Sequence, residues 1–284
     1  SGCSVGADGQ LINDDVERLI AASGQTDRDA MNPYRFAPPI SPHLAARQAG
    51  VDIDLDLLRQ RFAALPADAD RVLVEGAGTA FCAGGDISEY PAFRFDEAAL
   101  RDFHETEVWG ALAAMLACDV PLVAGIAGAC MGAGVEIASC CDIRIAGASA
   151  RFGAPIARLG FPMAPREAQL VAGTLGEAVA RQMLLEAATF SAAEMQACGF
   201  LSRVVTKDAV AAETRASAGR IAALAPQAAR LNKQTLRALK SPSTLAGYAQ
   251  AAMESIVDGA YGYADSAEHR EGIDAFLAKR APNF

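Results

Sequence analysis

The chain has 284 residues, of which 52% are hydrophobic and 21% charged, so it can bury a sizeable core and does not have the composition of a disordered protein. Its 34 acidic residues outnumber its 25 basic ones and give a net charge of -9, which argues against nucleic acid or an anionic membrane as the main partner. The seven cysteines and three histidines show no CxxC pair, which favours a reduced chain without a metal site.

Two further features bear on where the chain resides. The uncharged stretch from Val120 to Val135 is Gly-rich and short for a membrane span, so we expect a buried strand entering a loop there. No signal peptide opens the sequence, and Ser1 stands in place of an initiator Met. These features predict a processed, truncated or engineered product with a cytoplasmic location.

Apolar spacing, together with glycine and proline positions, predicts the elements in chain order. The predicted strands are 71–75, 121–126 and 142–146, and a loop over 151–160 is predicted after the last of them. The predicted helices are 14–23, 43–49, 54–65, 132–140, 165–174, 176–187, 191–197, 208–224, 226–239, 242–258 and 266–280. The pattern therefore changes near residue 205 from mixed α/β to all helix.

Two Gly-rich turns are each predicted to follow a strand. The first runs from Phe81 to Asp86 (FCAGGD) and the second from Gly128 to Glu136 (GACMGAGVE). Two such turns can direct backbone N–H groups at one oxygen, and the helix start at 132–136 adds a positive dipole. Glu136 is then placed to act as acid or base on the carbon beside that oxygen. Taken alone, a Gly-rich loop is more often an ordinary tight turn.

From about Gly78 to Phe284 the chain resembles the crotonase (enoyl-CoA hydratase/isomerase) superfamily. The matching runs are AFCAGGDI (80–87), PLVAGIAGACMGAGVEIASCCDIRIA (121–146), ATFSAAEMQACGFLSRVV (188–205) and EHREGIDAFLAKRAPNF (268–284). The resemblance implies an α/β fold with a spiral core of ββα turns over 79–205 and a helical oligomerisation region over 206–284. It also implies an acyl-CoA thioester as substrate, no cofactor beyond the CoA of that substrate, and a homotrimer or hexamer.

The same resemblance implies roles for individual residues. The N–H groups of Gly85 and Ala133 would hold the thioester oxygen, and Glu136 matches the first catalytic glutamate of the hydratases. Those enzymes carry a second glutamate twenty positions later, where this chain has Ile156. The implied substrate and CoA contacts are Ala83, Asp86, Gly132, Ile156, Phe276 and Lys279. An enoyl-CoA hydratase is therefore predicted, and Ile156 leaves an acyl-CoA decarboxylase or isomerase open.

Several residues keep two interpretations. His104, Glu105 and Glu107 lie on the helix expected to cover the pocket. They either supply a substitute for the missing acid or form a solvated face of that helix. Phe276 and Lys279 either reach CoA or belong to a capped terminal helix. Arg158 and Arg166 either meet an acidic group of the substrate or are solvated. Cys140 and Cys141 are expected to lie in the core. Cys82 lies in the first Gly turn, where its residue type is expected to be incidental and a nucleophile is the alternative.

Residues 1–78 resemble a different family, the dethiobiotin synthetases, through NDDVERL, NPYRFAPPISPHLAARQAG and ADRVLVEGAG. Asp15 and Glu75 match that family's magnesium-binding carboxylates and Ser1 a substrate-side serine, but its phosphate-binding P-loop is absent from this sequence. We therefore predict a chimera joined near 76–79, in which 54–78 supplies a helix and a strand to the core. Synthetase activity is not expected. Loss of the usual crotonase hairpin leaves a chimeric chain with impaired or no acyl-CoA activity as a further alternative.

Overall fold

The computed structural model describes residues 4–5, 10–12, 34–36, 46, 48–51, 54, 57, 72–76, 80–85, 94–239, 267, 271, 278–280 and 283. The chain divides into two compact units, Ser1–Ala69 and Asp70–Phe284. In the first unit β1 (Ser4–Val5) pairs antiparallel with β2 (Leu11–Ile12). Phe36 is buried there, and its ring stacks on that of Tyr34 with the centroids 6.4 Å apart.

The described strands of the second unit form two sheets. The strands are β3 (Val72–Glu75), β4 (Ala80–Cys82), β5 (Leu122–Ile126), β6 (Ala129–Met131), β7 (Ile143–Gly147), β8 (Arg151–Gly153), β9 (Thr189–Ser191) and β10 (Arg203–Val205). The first sheet has the order β10-β7-β5-β3 and is parallel throughout. The second has the order β4-β6-β8-β9 and is parallel except for the β8–β9 pair.

Helices follow most of these strands. The described helices are α1 (Glu97–Asp102), a π-helix (Phe103–Val108), α2 (Trp109–Ala117), α3 (Ala133–Cys140), a 3-10 helix (Pro155–Leu159), α4 (Pro165–Leu175), α5 (Glu177–Leu185), α6 (Ala192–Ala197), a 3-10 helix (Lys207–Ala209), α7 (Val210–Ala222) and α8 (Pro226–Leu239). Local chemistry sets several ends. Pro165 occupies the first turn of α4, and Ser191 and Glu194 form a capping box at the start of α6.

Strand β5 is buried along its whole length, as expected of a central parallel strand. Its side chains at 122, 124 and 126 enter the main hydrophobic cluster, which also takes residues from both sheets and from α3 to α6. Val123 points to the opposite face and packs in a second cluster with Ile145 and Ala218 of α7. The sheet therefore lies between two apolar layers, and it holds the chain that leads into the second Gly turn.

The predicted mixed α/β fold is confirmed, as are the helices whose positions the structure describes from 132 to 239. Predicted helices 14–23 and 242–258 lie outside the described residues, as do most of 43–49, 54–65 and 266–280. No helix among the described residues has the length and apolar character needed to cross a bilayer.

Two parts of the predicted order of elements were wrong. The run 151–160 is not one loop, because it contains strand β8 and the 3-10 helix Pro155–Leu159. The two Gly turns do not follow β3 and β5 directly. Short strands of the second sheet, β4 and β6, come between. These three-residue strands are too short to show the alternation on which strand prediction depends.

Candidate active site

The two Gly-rich turns lie side by side. Strands β4 and β6 pair in parallel, with Cys82 opposite Cys130, so both strands end at the same edge of the sheet. Gly84 and Gly132 follow them with positive φ values of 105° and 52°, which a residue with a Cβ rarely adopts. A Cβ built on Gly132 would lie 3.6 Å from the Cα of Gly84. The turns that carry Gly85 and Ala133 therefore adjoin each other.

Helix α3 begins at this junction. Ala133 is its first residue, and the first N–H groups of an α-helix have no acceptor within the helix. Gly134 allows the helix to approach β4, because a Cβ there would lie 2.9 Å from the Cβ of Cys82. The positive end of the helix dipole thus lies beside the two turns, where it favours negative charge.

Glu136 lies one turn into α3 and is buried, with only 7% of its surface exposed. Burial, and to a smaller extent the negative charge of Glu167, together raise the pKa of its carboxyl group from 4.5 to about 7. A group with this pKa is divided between its acid and base forms at neutral pH. Such a group is suited to proton transfer.

Glu167 was not among the residues predicted from the sequence. It lies in the first turn of α4 and is 3% exposed. One of its oxygens, Oε1, lies 2.8 Å from Nδ1 of His104. A signal for it exists in the sequence, because residues 167, 171 and 175 form the buried stripe of α4 and an acidic residue interrupts that apolar spacing.

The π-helix connects to α4 through two neighbouring residue pairs. His104 pairs with Glu167, and Glu105 forms an ion pair with Arg166 at 2.7 Å. The guanidinium group of Arg166 also lies over the ring of Trp109, 5.7 Å from its centroid. π-helical segments inside longer helices often occur at functional sites. Here the segment directs two consecutive side chains at the start of α4.

The other predicted site residues are distributed as follows. Ile156 lies in the 3-10 helix and packs against the main core, so position 156 presents hydrocarbon. Ala83 is exposed in the first Gly-rich turn. Lys279 is exposed and lies in a turn near the C-terminal end of the chain. Arg158 donates to the carbonyl of Ala187, 3.3 Å away. The positions that lie outside the described residues are Ser1, Asp15, Asp86 and Phe276.

Cys140 and Cys141 are buried in the core, as predicted. Burial raises the pKa of Cys140 and that of Cys141 to about 12, so both remain neutral thiols. Cys82 is partly exposed and pairs in register with Cys130. Within the part of the chain that the structure describes, no group of three or more His, Cys, Asp or Glu residues could hold a metal ion.

Solved structures with a similar fold indicate the class of protein. The chain shares its fold with an enoyl-CoA hydratase/carnithine racemase from Magnetospirillum magneticum, with a TM-score of 0.72, 36% identity, and coverage of 82% of this chain and 86% of that one. The structure of a putative enoyl-CoA hydratase/isomerase from Mycobacterium abscessus matches with a TM-score of 0.69 and 30% identity. The match covers 84% of this chain and 92% of that one. The fold is therefore crotonase-like.

The family follows from sequence comparison. The family model described as Enoyl-CoA hydratase/isomerase matches residues 56–284, so the chain belongs to this family. A probable enoyl-CoA hydratase of Mycobacterium tuberculosis is 34% identical over 217 residues, covering 76% of this chain and 80% of that protein. The 2,3-dehydroadipyl-CoA hydratase of Escherichia coli is 31% identical over 212 residues, covering 75% and 79%. The chain is thus an enzyme of the hydratase/isomerase family.

A second family model, described as an AAA domain, matches residues 5–82. The two matched ranges overlap over residues 56–82, and this overlap contains the junction predicted near 76–79. The dethiobiotin synthetase resemblance of the front segment stays a prediction.

Proposed function

We propose that the chain hydrates a 2-enoyl-CoA thioester through an enolate held by the N–H groups of Gly85 and Ala133. The observation that carries this proposal is the close approach of the turns at Gly84 and Gly132, with Glu136 one turn into the helix that begins there. Relatives named as hydratases support the reaction type, among them a crotonyl-CoA hydratase of Syntrophomonas wolfei, 30% identical over 227 residues.

The proposed chemistry requires negative charge to develop on the thioester oxygen. When water adds to C3, the electron pair of the double bond moves to form an enolate. Two fixed N–H donors and the positive end of α3 stabilise that oxyanion, and removal of one such donor typically costs about 10²–10³-fold in rate. Glu136 then donates its proton to C2, and the proton released by the added water restores it. Its raised pKa of about 7 keeps a large fraction of this carboxyl group protonated near neutrality, where an ordinary carboxylate would be ionised.

Isomerisation is the second candidate, and Ile156 is the observation that favours it. A hydrocarbon side chain at that position cannot exchange a proton, whereas Glu136 alone can carry a proton from C2 to C4 of a 3-enoyl thioester. A decarboxylase would likewise need only the oxyanion site and a proton for C2. Incubation with a 3-enoyl-CoA distinguishes isomerisation, because the conjugated 2-enoyl product absorbs in the near ultraviolet.

The remaining parts of the proposal concern the substrate and the assembly. The acyl group is carried by CoA, and no other cofactor takes part. The proposed substrate contacts are Ala83, Asp86, Gly132, Ile156, Phe276 and Lys279. We further propose a cytoplasmic homotrimer or hexamer, and a front segment related to dethiobiotin synthetase.

The direct test follows the loss of conjugated thioester absorbance when crotonyl-CoA is hydrated by the purified protein. Wild type should hydrate it, and Glu136→Gln should lower kcat by roughly 10²–10⁴-fold, the contribution of one general acid. Glu177→Gln is the matched control, because this exposed carboxylate pairs only with its helix neighbour Arg181 among the contacts described. Equal rates in wild type and Glu136→Gln would contradict the proposal.

A further inference from the structure

We propose that Glu167, positioned by His104, is the second carboxylate of this site and accepts the proton of the attacking water. This inference rests on the proposed hydration. Glu167 on α4 then performs the proton transfer that the hydrocarbon side chain of Ile156 cannot. In these terms Glu167 is a catalytic residue and His104 is a positioning residue.

The first argument is the burial of Glu167. It occupies a place on the inward stripe of α4 together with Val171 and Leu175, where an apolar residue would pack without cost. A carboxylate that is 3% exposed loses much of its hydration and is destabilising unless it is hydrogen-bonded. His104 supplies such a bond at 2.8 Å, and its own side chain is largely buried as well. The pair is therefore a built arrangement inside the molecule, away from the solvated faces of both helices.

The second argument is the orientation that His104 imposes. Nη2 of Arg94 lies 3.5 Å from Nε2 of His104, and a guanidinium group can only donate. Nε2 is thereby assigned as the acceptor, so the proton resides on Nδ1 and is donated to Oε1 of Glu167. One carboxylate oxygen is then fixed, and a carboxylate has a second oxygen that can accept from a water molecule.

The third argument is the relation between the two glutamates. Helix α3 packs against α4, and the charge of Glu167 acts on Glu136. Among the described residues, the elements packed against α3 offer few other ionisable groups. Helix α2 carries no titratable side chain. Cys82 lies on β4, Cys130 on β6 and Cys140 on α3 itself, where Cys141 and Lys233 act on it. Arg166 lies beside Glu167 on α4, and its guanidinium pairs with Glu105. Glu136 and Glu167 thus form the acidic pair of this region.

Two carboxylates in different protonation states complete the hydration. The oxygen of water bonds to C3 while Glu167 takes one of its protons, and the electron pair of the C2–C3 double bond becomes the enolate. Glu136 gives its proton to C2, and the enolate returns to the thioester. The substrate has gained H and OH. Glu167 is left protonated and Glu136 ionised, so transfer of one proton between them through water restores the starting state.

The test compares kcat and KM for crotonyl-CoA across pH in wild type, Glu167→Gln, Glu167→Asp and His104→Gln. Glu167→Gln should lower kcat by about 10²–10⁴-fold with little change in KM. Glu167→Asp keeps the charge but withdraws the carboxylate by one methylene, so it should fold and still lose at least tenfold. His104→Gln should lower kcat less and alter the pH profile. Ile156→Glu in the Glu167→Gln background should recover part of the rate, and Glu177→Gln serves as the charge-matched control.

A second readout does not depend on turnover. The carboxyl stretch of Glu136, assigned as the infrared band that Glu136→Gln removes, should titrate at lower pH in Glu167→Gln than in wild type, because a neighbouring negative charge is gone. If wild type hydrates crotonyl-CoA while both Glu167 variants keep full kcat and the wild-type pH profile, the inference fails and the proposed function stands. If wild type hydrates nothing, the proposed function fails. Whatever the turnover, a Glu136 carboxyl band that titrates at the same pH in Glu167→Gln as in wild type would overturn the pairing of Glu136 with Glu167.

Discussion

At the scale of single residues, Glu136 is held where its charged form is unfavourable. Its pKa rises from 4.5 in an exposed chain to about 7 in the folded protein. The folded chain therefore binds this proton more tightly than the unfolded chain does. The stabilisation that follows is fully present below about pH 4.5 and is lost as pH rises through 7.

Glu136→Gln should accordingly stabilise the fold in a pH-dependent manner. Glutamine cannot ionise, so the variant should exceed wild type in free energy of unfolding by up to about 3 kcal/mol at pH 8. The difference should shrink toward zero as pH falls to 4.5. Urea unfolding at pH 4.5, 6 and 8 measures it. A difference that stays constant over this range would mean that Glu136 titrates normally.

Gly134 provides a second test at this scale. A Cβ at this position would meet the Cβ of Cys82 at 2.9 Å and its carbonyl oxygen at 3.2 Å. Gly134→Ala should therefore push α3 away from β4, lower the free energy of unfolding by about 1–3 kcal/mol, and impair turnover by displacing Ala133.

The matched control for that substitution is Gly173→Ala. Gly173 is also inside a helix, but a Cβ there meets nothing within 4 Å. Alanine should be neutral or stabilise the protein by about 0.5–1 kcal/mol, because it restricts the unfolded chain. Equal destabilisation by both substitutions in urea unfolding would rule out the close approach as the cause.

At the scale of elements, helix α8 fixes the chain that enters strand β5. Nζ of Lys233 is buried and lies 2.9 Å from the carbonyl of Val120 and 2.7 Å from Oδ2 of Asp142. The same carboxylate accepts from the N–H of Leu122 at 2.8 Å. Lys233 thus joins α8 to the start of the strand that leads to the second Gly turn.

Lys233→Met should lower the free energy of unfolding by roughly 1–3 kcal/mol, because it removes a donor to two acceptors while keeping most of the side-chain volume. Lys207→Met is the comparison, since Lys207 is exposed at the start of the 3-10 helix that precedes α7. Thermal unfolding of both variants measures the loss of stability relative to wild type. A loss in Lys207→Met as large as that in Lys233→Met would show that the buried contacts contribute little.

The elements also show how far the sequence could be interpreted. Helices such as α4 and α7 follow from apolar spacing, and the turns at 84 and 132 follow from their glycines. Strands of three residues, such as β4 and β8, carry no usable period and depend on their partners in the sheet. The pairing of His104 with Glu167 joins residues 63 positions apart, so only the packing of the π-helix on α4 brings it about.

At the scale of the whole molecule, the sequence joins two family resemblances in one chain. The overlap of the matched ranges at 56–82 and the boundary between compact units at Ala69 and Asp70 fall in the same region. The strand β3 belongs to the second unit and pairs with β5. Strand β3 of the enzyme core therefore comes from the range that the second family also matches.

Association of several copies is expected from the surface of α8. Leu236 and Leu239 lie three positions apart on this helix and are 61% and 59% exposed, an unfavourable arrangement for an isolated helix surface. Light scattering at micromolar concentration should give the mass of a trimer or hexamer, and Leu236→Glu with Leu239→Glu should lower it. Leu185→Glu, on α5, is the control. A monomeric mass for wild type would contradict this expectation.

In the proposed reaction, the two Gly turns and Glu136 together generate a thioester enolate. The most direct measurement is exchange of the C2 protons of butyryl-CoA with D₂O, followed by NMR, because this saturated thioester can form the enolate without any hydration. Wild type should accelerate exchange, with a rate that rises through about pH 7 as Glu136 becomes the base, and Glu136→Gln should lose most of it. Exchange no faster than in buffer, or equally fast in Glu136→Gln, would contradict enolate formation by Glu136 at this site.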